Sequence, residues 1–401
     1  MNRTRGFLKT HKTSIIQDRT RVVLRGINLG GWLMMEGYIL HAPNLAHHLF
    51  KEEFIRRRGR RAYRQLIHGF RENFVTEQDL RWIARKGFNC VRVPFHYQLV
   101  WPFQAKRPAR SVTYLDRVIR WAKKVGLWVI LDLHATCGCQ NHDWHSDSAG
   151  AAQLWDQKKY QRHTYAVWEF LADRYRTESN VAGYDLLNEP VTHNTKVLND
   201  FYQCLVRVIR RADKRHILFV EGNHWARDLK VLQPIEDDNT AFSIHFYDPL
   251  EFTCNFVPHQ RYPQRRGFNR KTLRRILEPY RTFARRRQRP VFVGEFGVNY
   301  RQGHDGEDRW VSDVTGCFRE LGFHWTYWTY KAVKNSIFPD GLFSYYPNPP
   351  WVHRHGPYTG WQNYAVLWPT RQKDMIRSWR TEHFCENQKI TRVLKQAASA
   401  P

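Results

Sequence analysis

The chain has 401 residues, of which 42% are hydrophobic and 15% are aromatic. This composition is sufficient for a large buried core and leaves aromatic surface for a binding cleft. Lys and Arg number 64 against 37 Asp and Glu, a net charge of +27. No apolar run approaches membrane-spanning length, so the sequence excludes a transmembrane segment.

Short apolar runs alternate with amphipathic stretches along the chain. Gly87, Gly126 and Gly322 follow amphipathic stretches and are expected helix stops. The amphipathic stretches predict helices at residues 77–86, 114–124, 158–176, 196–212, 273–287 and 308–321. The apolar runs predict eight strands, at residues 22–28, 88–95, 127–135, 181–189, 217–221, 241–247, 291–295 and 324–331.

Eight successive strand–helix units predict an α/β fold, a closed parallel (β/α)8 TIM barrel with its helices outside. We place the barrel core at about residues 21–331 and expect one domain over residues 1–401. Residues 332–401 are expected to form a C-terminal extension packed on the barrel, including an ordered segment rich in proline and aromatic residues at 336–370. The last dozen residues, from Gln388, are expected to fray.

Two glutamates each end an apolar, strand-like run, Glu189 after residues 181–187 and Glu295 after residues 290–293. A carboxylate at the tip of a buried strand costs desolvation energy, which indicates a function for both. Two facing carboxylates are the minimal equipment for cleaving a glycosidic bond. Other polar or aromatic residues at predicted strand ends, where a barrel places its chemistry, are Arg92, His134, Asn188, His245, Tyr247 and Trp328.

These motifs, in this order, resemble those of glycoside hydrolase family 5, a family of retaining barrel glycosidases. The resemblance covers about residues 21–331. Its carriers are Arg25-Gly26-Ile27-Asn28-Leu29-Gly30-Gly31-Trp32, Arg92-Val93-Pro94-Phe95, Asp132-Leu133-His134, Asn188-Glu189-Pro190, His245-Phe246-Tyr247, Gly294-Glu295-Phe296-Gly297 and Trp328-Thr329-Tyr330-Lys331.

The resemblance implies that Glu189 is the acid/base and Glu295 the nucleophile of a double displacement on β-glucosidic bonds. For this role, we expect burial or a neighbouring charge to raise the pKa of Glu189. Arg92 and Tyr247 would favour the ionised form of Glu295. The resemblance also implies that Asn188 binds the sugar 2-hydroxyl, that His134 and His245 hold substrate hydroxyls and the acid/base network, and that Trp328 is a sugar platform.

Residues 29–36 are similar to the opening of the exo-β-1,3-glucanase branch, which makes Glu36 a candidate substrate ligand. Residues 140–141 and 147–148 are also similar to that branch, so Asn141 and Asp147 join the candidates, although Ser148 stands where an asparagine is expected. The glycan therefore stays open among β-1,3-glucans, simple β-glucosides, glucosylated lipids or sterols, and endo-β-glucan or mannan substrates. The non-enzymatic alternative is a basic barrel that binds glycans or nucleic acid.

No metal site is expected, because the loop histidines near His142 and His145, at His47-His48 and at His353 and His355 match no metal-ligand spacing. The family resemblance likewise implies a reaction that needs no metal and no cofactor. The seven cysteines form no paired CxxC motifs and are expected to be reduced. We expect no specific nucleic-acid partner, because the arginine runs fit solvated helix faces; weak association with anionic surfaces stays open. Residues 1–17 have no apolar signal region, which favours a cytoplasmic protein; the oligomeric state is not predicted.

Overall fold

A small antiparallel sheet precedes the barrel in the structure, a computed structural model that describes residues 6–100, 110–345 and 357–400. Its strands are β1 (Lys9–His11), β2 (Ser14–Gln17) and β3 (Thr20–Val22). Leu8 and Ile15 are buried in one apolar cluster with Trp128 and Ile217 at the amino-terminal ends of barrel strands. This hairpin, which the sequence analysis missed, therefore closes the bottom of the barrel.

Eight parallel strands then form a closed barrel in chain order, with the last strand hydrogen-bonded to the first. This confirms the predicted (β/α)8 barrel, and each predicted strand corresponds to an observed one. The barrel strands are β4 (Arg25–Asn28), β5 (Cys90–His96), β6 (Trp128–Ala135), β7 (Val181–Asp185), β8 (Ile217–Glu221), β9 (Thr240–His245), β10 (Val291–Phe296) and β11 (His324–Tyr327).

Helices surround the barrel because their apolar positions recur at helical spacing, as Leu115, Val118, Ile119 and Ala122 do in α3. The helices are α1 (His47–Phe74), α2 (Glu77–Arg85), α3 (Thr113–Val125), α4 (Lys158–Tyr175), α5 (Thr195–Ala212), α6 (Asn223–Ala226), α7 (Leu250–Thr253), α8 (Arg270–Arg287) and α9 (Glu307–Leu321). Short 3-10 turns lie at Tyr38–Leu40, Tyr97–Leu99, Arg110–Val112, Trp144–Ser146 and Thr381–His383.

Glycines end two of the predicted helices as expected. Gly126 follows α3 with φ of 76°, and Gly322 follows α9 with the same φ. A residue without a Cβ adopts this left-handed conformation at little cost and lets the chain turn back into the next strand. Helix α1 was not predicted; it is broken at Gly59, where φ is 81°.

The C-terminal residues pack on the outside of the barrel. They include β12 (Lys331–Val333), β13 (Phe343–Tyr345), α10 (Trp361–Ser378), β14 (Cys385–Glu386) and α11 (Gln388–Ser399). Trp361 of α10 stacks on Phe50 of α1 with ring centroids 4.8 Å apart. Ile390 and Leu394 of α11 are buried, so the expected fraying from residue 388 is wrong. Part of the aromatic segment predicted at 336–370 lies outside the described residues, as do His353 and His355.

Among the described helices, none combines the length and the apolar character needed to cross a bilayer.

Candidate active site

A cavity of about 440 Å³ opens at the carboxyl-terminal ends of the barrel strands. This volume lies within the range typical of small-molecule sites, roughly 300–1,000 Å³. Most of the predicted site residues line it, because parallel strands of a barrel deliver their ends to one rim. The lining residues are Glu36, Tyr38, His134, Trp144, His145, Asn188, Glu189, Trp225, Arg227, His245, Tyr247, Leu250, Cys254, Phe256, Glu295, Trp328, Phe338 and Pro339.

Glu189 and Glu295 face each other at the centre of this cavity. A carboxylate oxygen of Glu189, a carboxylate oxygen of Glu295 and a ring nitrogen of His245 all lie within 4.8 Å of one another. Retaining glycosidases place their two carboxyl groups about 5–5.5 Å apart, whereas inverting enzymes need roughly 6.5–9.5 Å to admit a water. The separation is therefore compatible with a retaining mechanism.

Glu295, on β10, is held by a cation and a hydroxyl. Arg92 donates from Nη1 to Oε1 at 2.7 Å, and the Tyr247 hydroxyl donates to Oε2 at 2.8 Å. His245 Nδ1 lies 3.5 Å from Oε2. Charge-assisted hydrogen bonds of this kind fix the direction of the Glu295 carboxylate toward the cavity.

Glu189 follows β7 in the left-handed backbone region, with φ of 49°. Its backbone N–H donates to Glu221 Oε2 at 2.6 Å, which offsets part of the strain of that conformation. Its side chain lies between two imidazoles, with His245 Nδ1 at 2.6 Å from Oε1 and His145 Nε2 at 2.8 Å from Oε2. Two different elements, β9 and the loop after β6, supply these histidines.

The prediction of a raised pKa for Glu189 is wrong. Burial raises the pKa of Glu189, but the hydrogen bonds and charges of His145 and His245 outweigh it and hold the pKa well below its usual range. Burial lowers the pKa of His245, yet Glu295, Glu221 and Glu189 raise it well above normal. Burial also lowers the pKa of His145, but the hydrogen bond and charge of Glu189 outweigh it and raise that pKa above its usual value. The Glu189 carboxylate and the two imidazoles therefore titrate as one coupled group.

His145→Gln should raise the pKa of Glu189, because one of the two imidazoles that lower it is removed while the burial that raises it remains. The titration is followed by carboxylate infrared or ¹³C NMR spectroscopy on glutamate-labelled protein. The matched control is His142→Gln, since His142 is an exposed histidine of the same loop that contacts Asp143 rather than Glu189. An unchanged or lowered pKa in the His145 variant would contradict the arrangement described here.

A buried charge network lies beneath the two glutamates, centred on Arg92. The guanidinium contacts Asp132 at 3.2 Å, Asp185 at 2.8 Å, Glu221 at 3.2 Å and Glu295 at 2.7 Å. Burial chiefly raises the pKa of Asp132 and of Glu221 to about 7 and that of Asp185 to about 6. Arg92 therefore faces carboxylates that are in part protonated near neutral pH, which reduces their mutual repulsion.

Asp185 and Glu221 were missed as functional residues. Each is an acid on an otherwise apolar strand, which is the signal that identified Glu189 and Glu295. Asp132 appeared only within a motif; it accepts from His134 Nδ1 at 2.7 Å and thereby orients that ring.

Several polar atoms at one end of the cavity are buried without a partner among the described residues. Asn188 accepts from Arg92 through Oδ1 at 2.9 Å, while its Nδ2 has no hydrogen bond. Glu36 Oε1 also lacks a hydrogen bond and lies 3.9 Å from His134 Nε2. Burial and the neighbouring Glu295, Glu189 and Asp132 carboxylates raise the pKa of Glu36 well above normal. Unpaired buried donors and acceptors are what a sugar with several hydroxyls can satisfy.

Trp328 lies beside these polar atoms, immediately after β11. Its indole stacks on His134 with ring centroids 5.5 Å apart and planes 6° apart, and its Nε1 donates to the Tyr38 hydroxyl. The packing fixes the ring as a rigid wall of the cavity.

Asn141 and Asp147 do not line the cavity, so the predicted substrate contacts of these two residues are not supported. Asn141 Nδ2 instead donates to the Glu189 carbonyl at 2.9 Å and contacts His145 Nε2 at 3.1 Å. Asp147 accepts from the backbone of His48 at 2.7 Å and contacts His96 Nε2 at 2.8 Å. The side chains of Asn141 and Asp147 therefore stabilise the loop after β6 through these hydrogen bonds. Arg92 likewise lies behind Glu295 and not on the cavity surface.

An aromatic wall forms the outer part of the cavity and was missed by sequence analysis. Its members are Tyr38, Trp144, Trp225, Phe256 and Phe338. Trp225 lies in a left-handed stretch with φ of 57°, and its Nε1 donates to Asp143 at 2.7 Å. Strand-end placement could not identify these residues because they come from loops, whose paths are set by tertiary packing.

The sequence model of the cellulase family, glycosyl hydrolase family 5, matches residues 62–334. A β-xylosidase of Phanerodontia chrysosporium is 32% identical over 343 residues, covering 82% of this chain and 71% of that protein. A glucan 1,3-β-glucosidase of Lachancea kluyveri is 30% identical over 255 residues, 56% of each chain. The endoglucanase Cel5A from Thermotoga maritima superposes with a TM-score of 0.62 and 20% identity, covering 92% of this chain and 96% of that one.

A facing carboxylate pair at the carboxyl-terminal mouth of a (β/α)8 barrel defines the protein as a glycoside hydrolase, which acts on carbohydrate. The family match and the relatives agree, and the chain belongs to glycosyl hydrolase family 5. The predicted resemblance is thereby confirmed, including relatives from the glucan 1,3-β-glucosidase branch.

The group of Glu189, His245 and Glu295 is also close enough for its ligand atoms to bind a metal ion. The hydrogen bond from His245 to Glu189 gives a sufficient reason for this convergence. The absence of a metal or cofactor from the reaction stays a prediction.

Proposed function

We propose that Glu189 is the acid/base and Glu295 the nucleophile of a retaining β-glycosidase that acts on β-glucosides. The observation that supports this most directly is the placement of their carboxylate oxygens within 4.8 Å, at the centre of a cavity of about 440 Å³. The anomeric carbon would lie on the side of Glu295, and the glycosidic oxygen on the side of Glu189.

In the first step Glu295 attacks the anomeric carbon and forms a glycosyl ester, while the bond to the leaving oxygen breaks and that oxygen takes a proton from Glu189. Because His145 and His245 both lie within hydrogen-bond distance of the Glu189 carboxylate and lower its pKa, either imidazole can pass it the proton that the leaving oxygen takes. In the second step Glu189 removes a proton from water, which attacks the ester carbon and frees Glu295.

Asn188 and Glu36 supply the contacts to the sugar that is transferred. The unpaired Asn188 Nδ2 is oriented to donate to the 2-hydroxyl, a bond that strengthens as positive charge develops on the ring. With its pKa raised, Glu36 can donate as well as accept a hydrogen bond. Trp144, Trp225, Phe256 and Phe338 of the aromatic wall would receive the aglycone.

A β-xyloside is the second candidate substrate, favoured by the β-xylosidase of Phanerodontia chrysosporium at 32% identity. The glucan 1,3-β-glucosidase of Lachancea kluyveri favours the glucoside instead. Glucosylated lipids or sterols are supported by the apolar residues Leu250, Phe256 and Phe338 along the outer cavity. Endo-β-glucan or mannan cleavage and the cytoplasmic location stay predictions.

The test is a screen of paired substrates with product analysis. Aryl β-glucoside and aryl β-xyloside are compared first, followed by β-1,3- and β-1,4-linked oligosaccharides, mannan oligosaccharides and a steryl glucoside. Proton NMR during the first turnovers should show the β-anomer of the released sugar. Release of the α-anomer would refute the retaining mechanism, and faster xyloside than glucoside turnover would replace the glucoside as the proposed substrate.

A further inference from the structure

A second cavity, of about 410 Å³, lies at the opposite face of the barrel, near the amino-terminal ends of the strands. It is formed between the β1–β2 turn, the C-terminal ends of α8 and α9, and the start of β10. Thr13 and Ser14 contribute hydroxyls to its lining. Its arginines are Arg21, Arg281, Arg285, Arg289 and Arg319.

The positive charge of this cavity is poorly neutralised. Glu320 is the single acid among the lining residues that the structure describes, and it pairs instead with Arg270 and Arg274. The ion pairs around this cavity in the described chain involve other arginines, and none of them includes Arg21, Arg285 or Arg319. These three guanidinium groups are exposed and free to bind an anion.

Arg281 and Arg289 have partners that hold them in place. Arg281 lies 3.7 Å from Glu278. Arg289 donates to Thr240 Oγ1 at 2.9 Å and to the Asp237 carbonyl at 2.8 Å, and it lies 3.6 Å from the Asp238 carboxylate. The guanidinium of Arg289 is therefore positioned at the cavity by the fold and not by chance orientation.

Helix ends explain only part of this cluster. Arg285 and Arg319 lie in the last turns of α8 and α9, where a cation interacts favourably with the helix dipole. Arg21 comes from β3 and Arg289 from the residue pair before β10, so no helix end accounts for them. The positive charge also acts on the interior, since burial, together with the charges of Arg21 and Arg25, lowers the pKa of His324 to about 3.

We propose that this cavity binds a compact anion with several phosphate groups, either free or as the headgroup of a lipid. Guanidinium groups form paired hydrogen bonds with phosphate oxygens, and a concave site with three unpaired cations can neutralise more than one phosphate. The bounded cavity favours a compact ligand over a nucleic-acid duplex, which would need a groove along its length. Since the site lies on the face opposite Glu189 and Glu295, its occupant leaves the catalytic mouth open.

The test compares two triple variants of the full chain with the same loss of charge. One is R21Q/R285Q/R319Q, and the control is R60Q/R61Q/R162Q, which changes exposed arginines on α1 and α4. Binding of pyrophosphate and inositol hexakisphosphate is measured by calorimetry. Binding to phosphatidylcholine vesicles with and without phosphatidylinositol bisphosphate is measured by flotation.

We expect the cavity variant to bind roughly tenfold more weakly than the control, with the affinity of the unaltered protein falling as salt is added. Binding of the soluble anions alone would identify a free ligand, and additional capture by the doped vesicles a lipid headgroup. Two results would refute the site. One is an equal loss of affinity for the phosphate ligands in both triple variants. The other is that duplex DNA binds the unaltered protein more tightly than these ligands do and that both variants lose this DNA binding equally. Glycoside hydrolysis should be unchanged in both variants. The result of the anion-binding test is therefore independent of the proposed catalytic function.

Discussion

Glu295→Gln should lower kcat/KM for an aryl β-glucoside at least about a thousandfold, because the carboxamide cannot form the glycosyl ester. The loss should be as large for substrates with good leaving groups as for those with poor ones, since the nucleophile is needed for both. Initial rates with a series of aryl glucosides measure this.

The fold should survive the Glu295 substitution. Loss of one partner from a buried ion pair costs about 3–5 kcal/mol when the remaining charge is left alone. Here Arg92 keeps contacts to Asp132, Asp185 and Glu221, so we expect a smaller loss, measured by urea unfolding.

A mechanism-based 2-fluoroglucoside supplies the direct readout for the nucleophile. Peptide mass spectrometry of the inactivated enzyme should locate the sugar on Glu295. The matched control is Glu251→Gln, which changes an exposed acid of α7 near the cavity. This variant should retain nearly full turnover and should still be labelled on Glu295. A label on any other residue would contradict the assignment of Glu295.

Glu189→Ala should slow the first step for substrates with poor leaving groups by about 10²–10⁴-fold, the usual contribution of a general acid. Substrates whose leaving group needs no proton should be affected little in that step. Stopped-flow measurement of the aryl alcohol released in the first turnover separates this step from the second.

Added azide tests the second half of the Glu189 role. In the alanine variant the space left by the carboxylate admits azide, which can attack the glycosyl ester without a general base. We expect faster turnover and a β-glucosyl azide as product. Equal slowing of the first step for all substrates, or an α-azide, would show that Glu189 is not the acid/base.

Much of the barrel was predictable because most strands are short runs made up largely of apolar residues. Residues 127–135, for example, correspond to β6 (Trp128–Ala135), in which every residue is buried. The prediction missed α1, because Arg56 to Arg61 hide the apolar spacing of Phe50, Phe54, Tyr63 and Leu66. It also misjudged α11, whose burial depends on a partner, α9, that lies far away in sequence.

The sequence by itself determined the strand order and the presence of Glu189 and Glu295 at strand ends, since both follow from local patterns of apolar residues. Only the tertiary structure decided the proton affinity of Glu189, because His145 comes from a loop and His245 from a different strand. The tertiary structure also decided that Asn141 and Asp147 lie away from the cavity surface. Each side chain forms a hydrogen bond with a backbone atom that is distant in sequence. Contacts of this kind depend on distance in space, which residue spacing along a chain does not encode.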